Sequence, residues 1–69
     1  MERDPKLNPR RGDVLYKDGT YYHVNAGFNG VVMYCVKIGQ QWLNSTVRVK
    51  LDEWVERVKD MEVIAWELK

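Results

Sequence analysis

The dipeptide Asp18-Gly19 lies between two runs rich in apolar residues, and this feature restricts the possible folds of the chain most strongly. Asp-Gly in such a position is a strong signal for a β-hairpin, because both residues accept the positive φ angles of a tight turn. We therefore predict a hairpin over residues 12–24. Two registers fit the pattern: a two-residue loop places Leu15 opposite Tyr22, whereas a three-residue loop places Val14 opposite Tyr22.

The register of this hairpin decides which side chains face the core. We favour the three-residue loop, Lys17-Asp18-Gly19, because it gathers four apolar side chains on one face. These four side chains are Val14, Tyr16, Tyr22 and Val24. Since neighbouring side chains of a strand point to opposite sides, Leu15, Tyr21 and His23 are then expected on the other, outer face.

Two more strands are predicted after a turn at residues 25–30, which contains Phe28. Residues 31–38 are dense in β-branched side chains and apolar on both faces, which is typical of a central strand. Residues 39–45 are mostly polar around Trp42 and are predicted to form a loop. Residues 46–51 alternate between apolar and polar side chains, as a half-buried strand does.

A short helix and a last strand are predicted to complete the fold. The helix is predicted from Asp52, which is suited to cap it, to about Asp60. Trp54, Val55 and Val58 recur in it at helical spacing. A helix this short is stable only when this apolar stripe packs on the sheet. Residues 62–68 alternate again and are predicted to be the fifth strand, with one face formed by Ile64, Trp66 and Leu68.

These elements predict a mainly β fold, a five-stranded small barrel with one short helix before the last strand. A chain of 69 residues has room for one small domain, which we place at residues 12–69. Residues 1–11 are expected to be an extended basic arm, since Pro5 and Pro9 break any helix there. The side chains expected in the core are Val14, Tyr22, Val24, Tyr34, Val36, Val47, Val49, Trp54, Val58, Ile64 and Trp66.

Four short motifs of the chain resemble segments of a known group of proteins. Asn8-Pro9-Arg10-Arg11-Gly12-Asp13-Val14 is followed by Lys17-Asp18-Gly19 and Tyr22-His23-Val24, and Leu51-Asp52-Glu53-Trp54 comes near the end. This arrangement is similar to short proteins encoded by phages and prophages. The layout resembles an SH3-like small barrel, in which a short helical turn separates the last two strands. The resemblance implies a fold and a phage or prophage origin, but no activity, since such proteins are mostly uncharacterised in function.

Composition excludes several classes of protein. The net charge of +1 excludes a strongly basic nucleic-acid binder and an acidic tail. No apolar run approaches the roughly 18 residues that a membrane-spanning helix needs, and the first residues lack the apolar stretch of a signal peptide. The single cysteine, Cys35, cannot form an internal disulfide. We therefore expect a cytoplasmic protein without membrane contact. The resemblance to phage-encoded proteins implies that this cytoplasm is that of a bacterial host.

Residues suited to catalysis or metal binding are scarce. The chain has one histidine, His23, and one cysteine, Cys35, at no spacing typical of a metal site. A Cys–His pair on neighbouring strands is conceivable, but no third group is evident to orient it. Gly27 and Gly30 match no phosphate-binding loop and are explained by a turn. We expect no enzymatic activity, no cofactor and no bound metal.

Aromatic and apolar side chains outside the core indicate a binding module for a protein partner. The expected partner-binding residues are Tyr21, His23, Phe28, Met33 and Trp42. Alternatively, Trp42 folds over one end of the barrel as a plug. The second hypothesis is weak nucleic-acid binding through phosphate contacts. Its expected residues are Arg10, Arg11, Arg48 and Lys50. We expect a monomer or a weak dimer.

Overall fold

A computed structural model describes residues 4–65, apart from the side chain of Asn44. These residues form five strands and one helix, and the predicted mainly β class is confirmed. The helix lies before the last strand, as predicted. In chain order the elements are β1 (Val14–Lys17), β2 (Thr20–Phe28), β3 (Val31–Ile38), β4 (Gln41–Lys50), α1 (Leu51–Val58) and β5 (Glu62–Ala65).

The five strands form one antiparallel sheet in the order β4-β3-β2-β1-β5. Strands β1 to β4 pair in sequence through tight turns, and β5 returns to pair with β1. No ladder joins β4 to β5 within residues 4–65, so the sheet is not closed there into the predicted barrel. Helix α1 connects these two edge strands and packs against one face of the sheet.

The first hairpin has the two-residue loop, and the register that we favoured is wrong. Leu15 pairs with Tyr22, and Val14 pairs with His23. Asp18 and Gly19 have φ angles of 49° and 82°, as in the turn whose twist matches that of the flanking strands. The tight turn therefore selects the register, and Leu15 is fully buried as a result.

The core lies between the sheet and α1, around three aromatic rings. The Trp54 ring centroid lies 5.0 Å from that of Tyr34 and 6.1 Å from that of Tyr22, and the two tyrosine rings are 4.7 Å apart. Burial raises the pKa of Tyr34, while the nearby Arg57 guanidinium acts in the opposite direction. The buried apolar side chains of the described residues are Leu15, Val24, Val32, Tyr34, Val49, Trp54, Val58 and Met61.

Eight of the predicted core residues are in this core or partly buried against it, and two are not. Val14 lies on the outer face because it is paired with His23. Ile64 is 47% exposed because it occupies an irregularity in the β1–β5 pairing, where Val63 takes the inward position. The predicted positions of Trp66 and Leu68 lie outside the described residues.

Two predicted loops are shorter than expected, which changes the setting of two candidate site residues. Strand β4 begins at Gln41, so Trp42 lies in a strand and not in a polar loop. Strand β2 continues to Phe28, and the turn after it contains only Asn29 and Gly30, both with positive φ. The start of β4 is polar, and apolar and polar side chains do not alternate regularly there. The reason is a register shift in the β3–β4 pairing between Cys35 and Lys37. The sequence pattern of a strand is therefore missing at this point.

The helix begins one residue before the predicted cap. Lys50 occupies the N-cap position without a side-chain cap, and Asp52 lies in the first turn. The Leu51 N–H donates to the Gly30 carbonyl at 2.8 Å, so the adjacent β2–β3 turn satisfies one free donor of the helix start. Asp52 still suits the positive end of the helix dipole.

The segment predicted as an extended arm is packed on the domain over residues 4–11. It contains a turn in which the Asn8 N–H donates to the Asp4 carbonyl at 2.7 Å. The Pro5 carbonyl accepts from the Trp54 indole at 3.2 Å. Gly27 faces Pro9 so closely that an added Cβ would lie 2.1 Å from the Pro9 carbonyl oxygen. The start of the chain is therefore attached both to the core and to β2.

Candidate functional site

The outer face of the sheet, which is turned away from α1, contains four ring side chains in contact. We call Tyr16, Tyr21, His23 and Trp42 the aromatic cluster. The cross-strand pairing of Tyr16 with Tyr21 places their ring centroids 4.8 Å apart. The His23 ring is 6.3 Å from Tyr21 and meets Trp42 edge to face at 4.5 Å. The cluster thus extends across the sheet from β1 to β4.

Lys37 lies within this cluster. It is paired with Tyr21 on one side and with Trp42 on the other. Its Nζ atom is 5.7 Å from the ring centroid of each. A cation at that distance is attracted by the electron-rich ring faces, so the ammonium group is held between two aromatic platforms.

Burial lowers the pKa of His23 below its ordinary value, and the charge of Lys37 lowers it further. The imidazole is therefore predominantly neutral at pH 7. A neutral ring can pack against Trp42 without the cost of desolvating a charge, which is consistent with the short distance between the two rings. Lys37 accordingly provides the fixed positive charge at the centre of the cluster.

A shallow groove of about 310 Å³ adjoins the cluster between His23 and Trp42. Arg11, Asn25 and Cys35 also line this groove. The Asn25 amide donates to Cys35 Sγ at 3.0 Å. Asn25 is the extra residue at an irregularity in the β2–β3 pairing, which explains how its side chain reaches the sulfur. The lining of the groove therefore combines aromatic, polar and cationic groups.

Asp13 holds the segment that lines this groove in place. Its side chain is fully buried, and Oδ2 accepts the Arg10 N–H at 2.8 Å. Its backbone carbonyl also accepts the Val24 N–H at 2.9 Å, which ties the segment to β2. Sequence reasoning missed Asp13, because a carboxylate next to a strand resembles an ordinary surface residue until its burial is known.

The predicted partner-binding residues are only partly brought together. Tyr21, His23 and Trp42 belong to the aromatic cluster. Met33 is on the outer face, paired with Arg48. Phe28 is 60% exposed at the far end of β2, beside a smaller pocket lined by Pro9 and Leu51.

The residues predicted for nucleic-acid contact are also exposed. Arg48 and Lys50 alternate with the inward-facing Val47 and Val49 and therefore point to the outer face. Arg10 and Arg11 precede the buried Asp13. Sequence reasoning did not identify Tyr16 and Lys37 as site residues. The two-residue loop, which we considered, would have placed Tyr16 opposite Tyr21.

Other kinds of site are not evident in the described chain. No group of three or more His, Cys, Asp or Glu side chains among residues 4–65 is arranged to hold a metal ion. In the same residues, no helix has both the length and the apolar composition needed to cross a membrane.

Comparisons with known proteins find no match for this chain. No family model matches it, and neither a curated protein nor a solved structure matches significantly. The resemblance to phage-encoded proteins therefore stays a prediction, and the argument for function depends on the geometry of the outer face.

Proposed function

We propose that this protein is a non-enzymatic binding module that holds its ligand against the aromatic cluster of the outer face. The main support is the position of Trp42, which is 48% exposed on a strand while Trp54 fills the core. Large aromatic side chains that remain partly exposed beside polar residues are typical of binding surfaces. The plug hypothesis for Trp42 has less support, because the Trp42 ring contacts His23 and Lys37, which are both outer-face side chains.

The fold suits such a role. The strand order β5-β1-β2-β3-β4, with a short helix between β4 and β5, is the arrangement that we propose to be SH3-like. In this arrangement α1 covers the inner face, and β1 to β4 present the outer face as a continuous surface. The module would act within a phage or prophage context in the bacterial cytoplasm, as the sequence resemblance implies.

The ligand predicted from sequence is a protein, because a net charge of +1 attracts nucleic acid only weakly at long range. The distribution of charge over the surface favours the second hypothesis, in which the ligand is an anionic nucleic acid. Lys37, Arg48 and Lys50 belong to the outer surface of β3 and β4. By contrast, Asp52, Glu53 and Glu56 lie on α1. The net charge of the chain is therefore close to zero although the outer face is positively charged.

Replacing Trp42 with alanine is expected to remove most of the ligand that the protein captures from a bacterial lysate. The indole is the most exposed ring of the cluster, so its loss deletes contact area without opening the core. The free energy of unfolding should change by about 1 kcal/mol or less, as is usual for a partly exposed site. Captured protein and captured nucleic acid are measured separately, against unmodified protein.

Ile38→Ala is the matched control for this experiment. Ile38 is 53% exposed and apolar, but it has the inward parity of Tyr34 and Val36 on β3. Its replacement should leave capture unchanged. Equal losses in the Trp42→Ala and Ile38→Ala variants, or no loss in either, would refute the proposed role of the outer face.

A further inference from the structure

We propose that the ligand of the aromatic cluster is a single-stranded nucleic acid, with bases stacked on Tyr21 and Trp42 and phosphates held by the surrounding cations. This inference rests on the proposed function, because it assigns a ligand class to the same face. The nucleic-acid hypothesis drawn from the sequence used only the basic residues of the N-terminal segment and of β4. The site proposed here is centred instead on Lys37 and the aromatic cluster.

Aromatic rings from neighbouring strands lie on one face of the sheet. Exposed aromatic side chains on β-sheets bind single strands by stacking two or three unpaired bases. Tyr21 on β2 and Trp42 on β4 lie on either side of Lys37 on β3. Lys37 Nζ is equidistant from the two rings, at 5.7 Å. A base that displaces the ammonium group from either ring face would therefore bring its own phosphate near Lys37 Nζ.

Within residues 4–65, no carboxylate neutralises the cations of the outer face. Among the described residues, no ion pair joins Lys37, Arg48 or Lys50 to a carboxylate. In contrast, three cations elsewhere have acidic neighbours within 4 Å. These pairs are Arg57–Glu53 at 3.7 Å, Lys59–Glu56 at 3.3 Å and Lys17–Asp60 at 3.9 Å.

In the part of the chain that the structure describes, few carboxylates lie near the surface where this ligand would bind. Asp13 borders the groove, but its side chain is fully buried and occupied by the Arg10 N–H. Glu62 is paired with Tyr16 and so reaches the outer face only at β5, the edge farthest from β4. The surface from Tyr21 to Arg48 is thus aromatic and cationic, which is the combination that single strands require.

A single strand fits this face better than a duplex does. Bases in a duplex are stacked on one another, so their faces are not accessible to Tyr21 and Trp42. Recognition in the major groove needs an inserted helix or two-stranded ribbon. The helix of the described chain, α1, packs on the opposite face and has Asp52 and Glu53 in its first turn. A duplex should therefore bind more weakly than a single strand of the same length.

The test is a titration of fluorescein-labelled oligothymidine of about 12 nucleotides, a length suited to small single-strand sites, followed by fluorescence anisotropy. We expect micromolar affinity at low salt, with log affinity falling linearly with log salt. Trp42→Ala should weaken binding about tenfold, whereas Trp42→Phe should retain most of it because a stacking face remains. Lys37→Gln should weaken binding and reduce the salt slope by about 0.7, the value of one phosphate contact.

Lys59→Gln is the charge-matched control, because Lys59 lies beside α1 and pairs with Glu56. It should change neither the affinity nor the salt slope. Absence of oligothymidine binding at low salt, or an equal loss in Lys37→Gln and Lys59→Gln, would overturn the inference. If the oligonucleotide does not bind while Trp42→Ala still reduces capture of a protein, the inference fails and the proposed binding face stands. Circular dichroism confirms that each variant is folded.

Discussion

Replacing Trp54 with alanine is expected to lower the free energy of unfolding by about 3–5 kcal/mol, the range for a buried aromatic side chain. Trp54 is fully buried and contacts both Tyr22 and Tyr34. Its indole N–H also donates to the Pro5 carbonyl, so the same side chain attaches the start of the chain to the core. We expect a chain of 69 residues to have a total stability of only a few kcal/mol, so this variant should be largely unfolded.

Urea denaturation measures this effect, with Trp54→Phe as the informative second variant. Phenylalanine keeps a ring in the core but removes the indole N–H, so it should remain folded with an intermediate loss of stability. The Pro5 carbonyl then loses the hydrogen bond that it accepts from the indole. If Trp54→Ala retained nearly all of its stability, the core described around Trp54 would be wrong.

Leu15→Ala is expected to cost about 2–5 kcal/mol, whereas Val14→Ala should cost considerably less. Leu15 is fully buried, while Val14 is only partly buried and lies opposite His23 on the outer face. The two residues are adjacent and both are apolar, so the comparison isolates the register of the hairpin. Urea denaturation of both variants gives the two values directly.

If Val14→Ala lowered the free energy of unfolding more than Leu15→Ala, the three-residue loop would be the correct register. Val14 would then be the inward residue, and truncating Leu15 would remove a contact from the outside only. Since the structure has the two-residue loop, we expect Leu15→Ala to be the more destabilised of the two variants in urea denaturation.

The hairpin shows which parts of the fold could be predicted from sequence. Asp18-Gly19 located the turn, and β-branched residues located β3 at residues 31–38. The register of the hairpin is not predicted as well as the turn. The number of apolar side chains on one face favours the register with Val14 inward, but this criterion takes no account of the twist of the strands. Positive φ at both Asp18 and Gly19 determines the turn, and that geometry becomes visible only in the structure.

Strand β4 shows a different limit. Its polar start at Gln41 and the register shift opposite Cys35 and Lys37 break the alternation by which strands are recognised. Trp42 was therefore expected in a loop. Exposure of Trp42 could still be predicted, because no periodic pattern required its burial, and the structure agrees with that expectation.

The candidate site depends on contacts between strands, which the sequence does not contain. The sequence predicts separately for Tyr21, His23 and Trp42 that each lies outside the core. Their meeting with Lys37 follows from the pairing of β2 with β3 and of β3 with β4. Sequence reasoning assigned the basic arm and Arg48 to phosphates, but it had no means of placing a lysine between two rings 5.7 Å from its ammonium group.

The most direct test of the outer face as the binding surface is a two-dimensional ¹H–¹⁵N NMR titration of the protein with unlabelled oligothymidine. The account predicts the largest shift changes at the Trp42 indole N–H and at the backbone amides of Tyr21, His23 and Lys37, with little change over Leu51–Val58. Changes concentrated on α1, or spread evenly over the whole surface, would contradict the central claim that the ligand lies on the aromatic cluster.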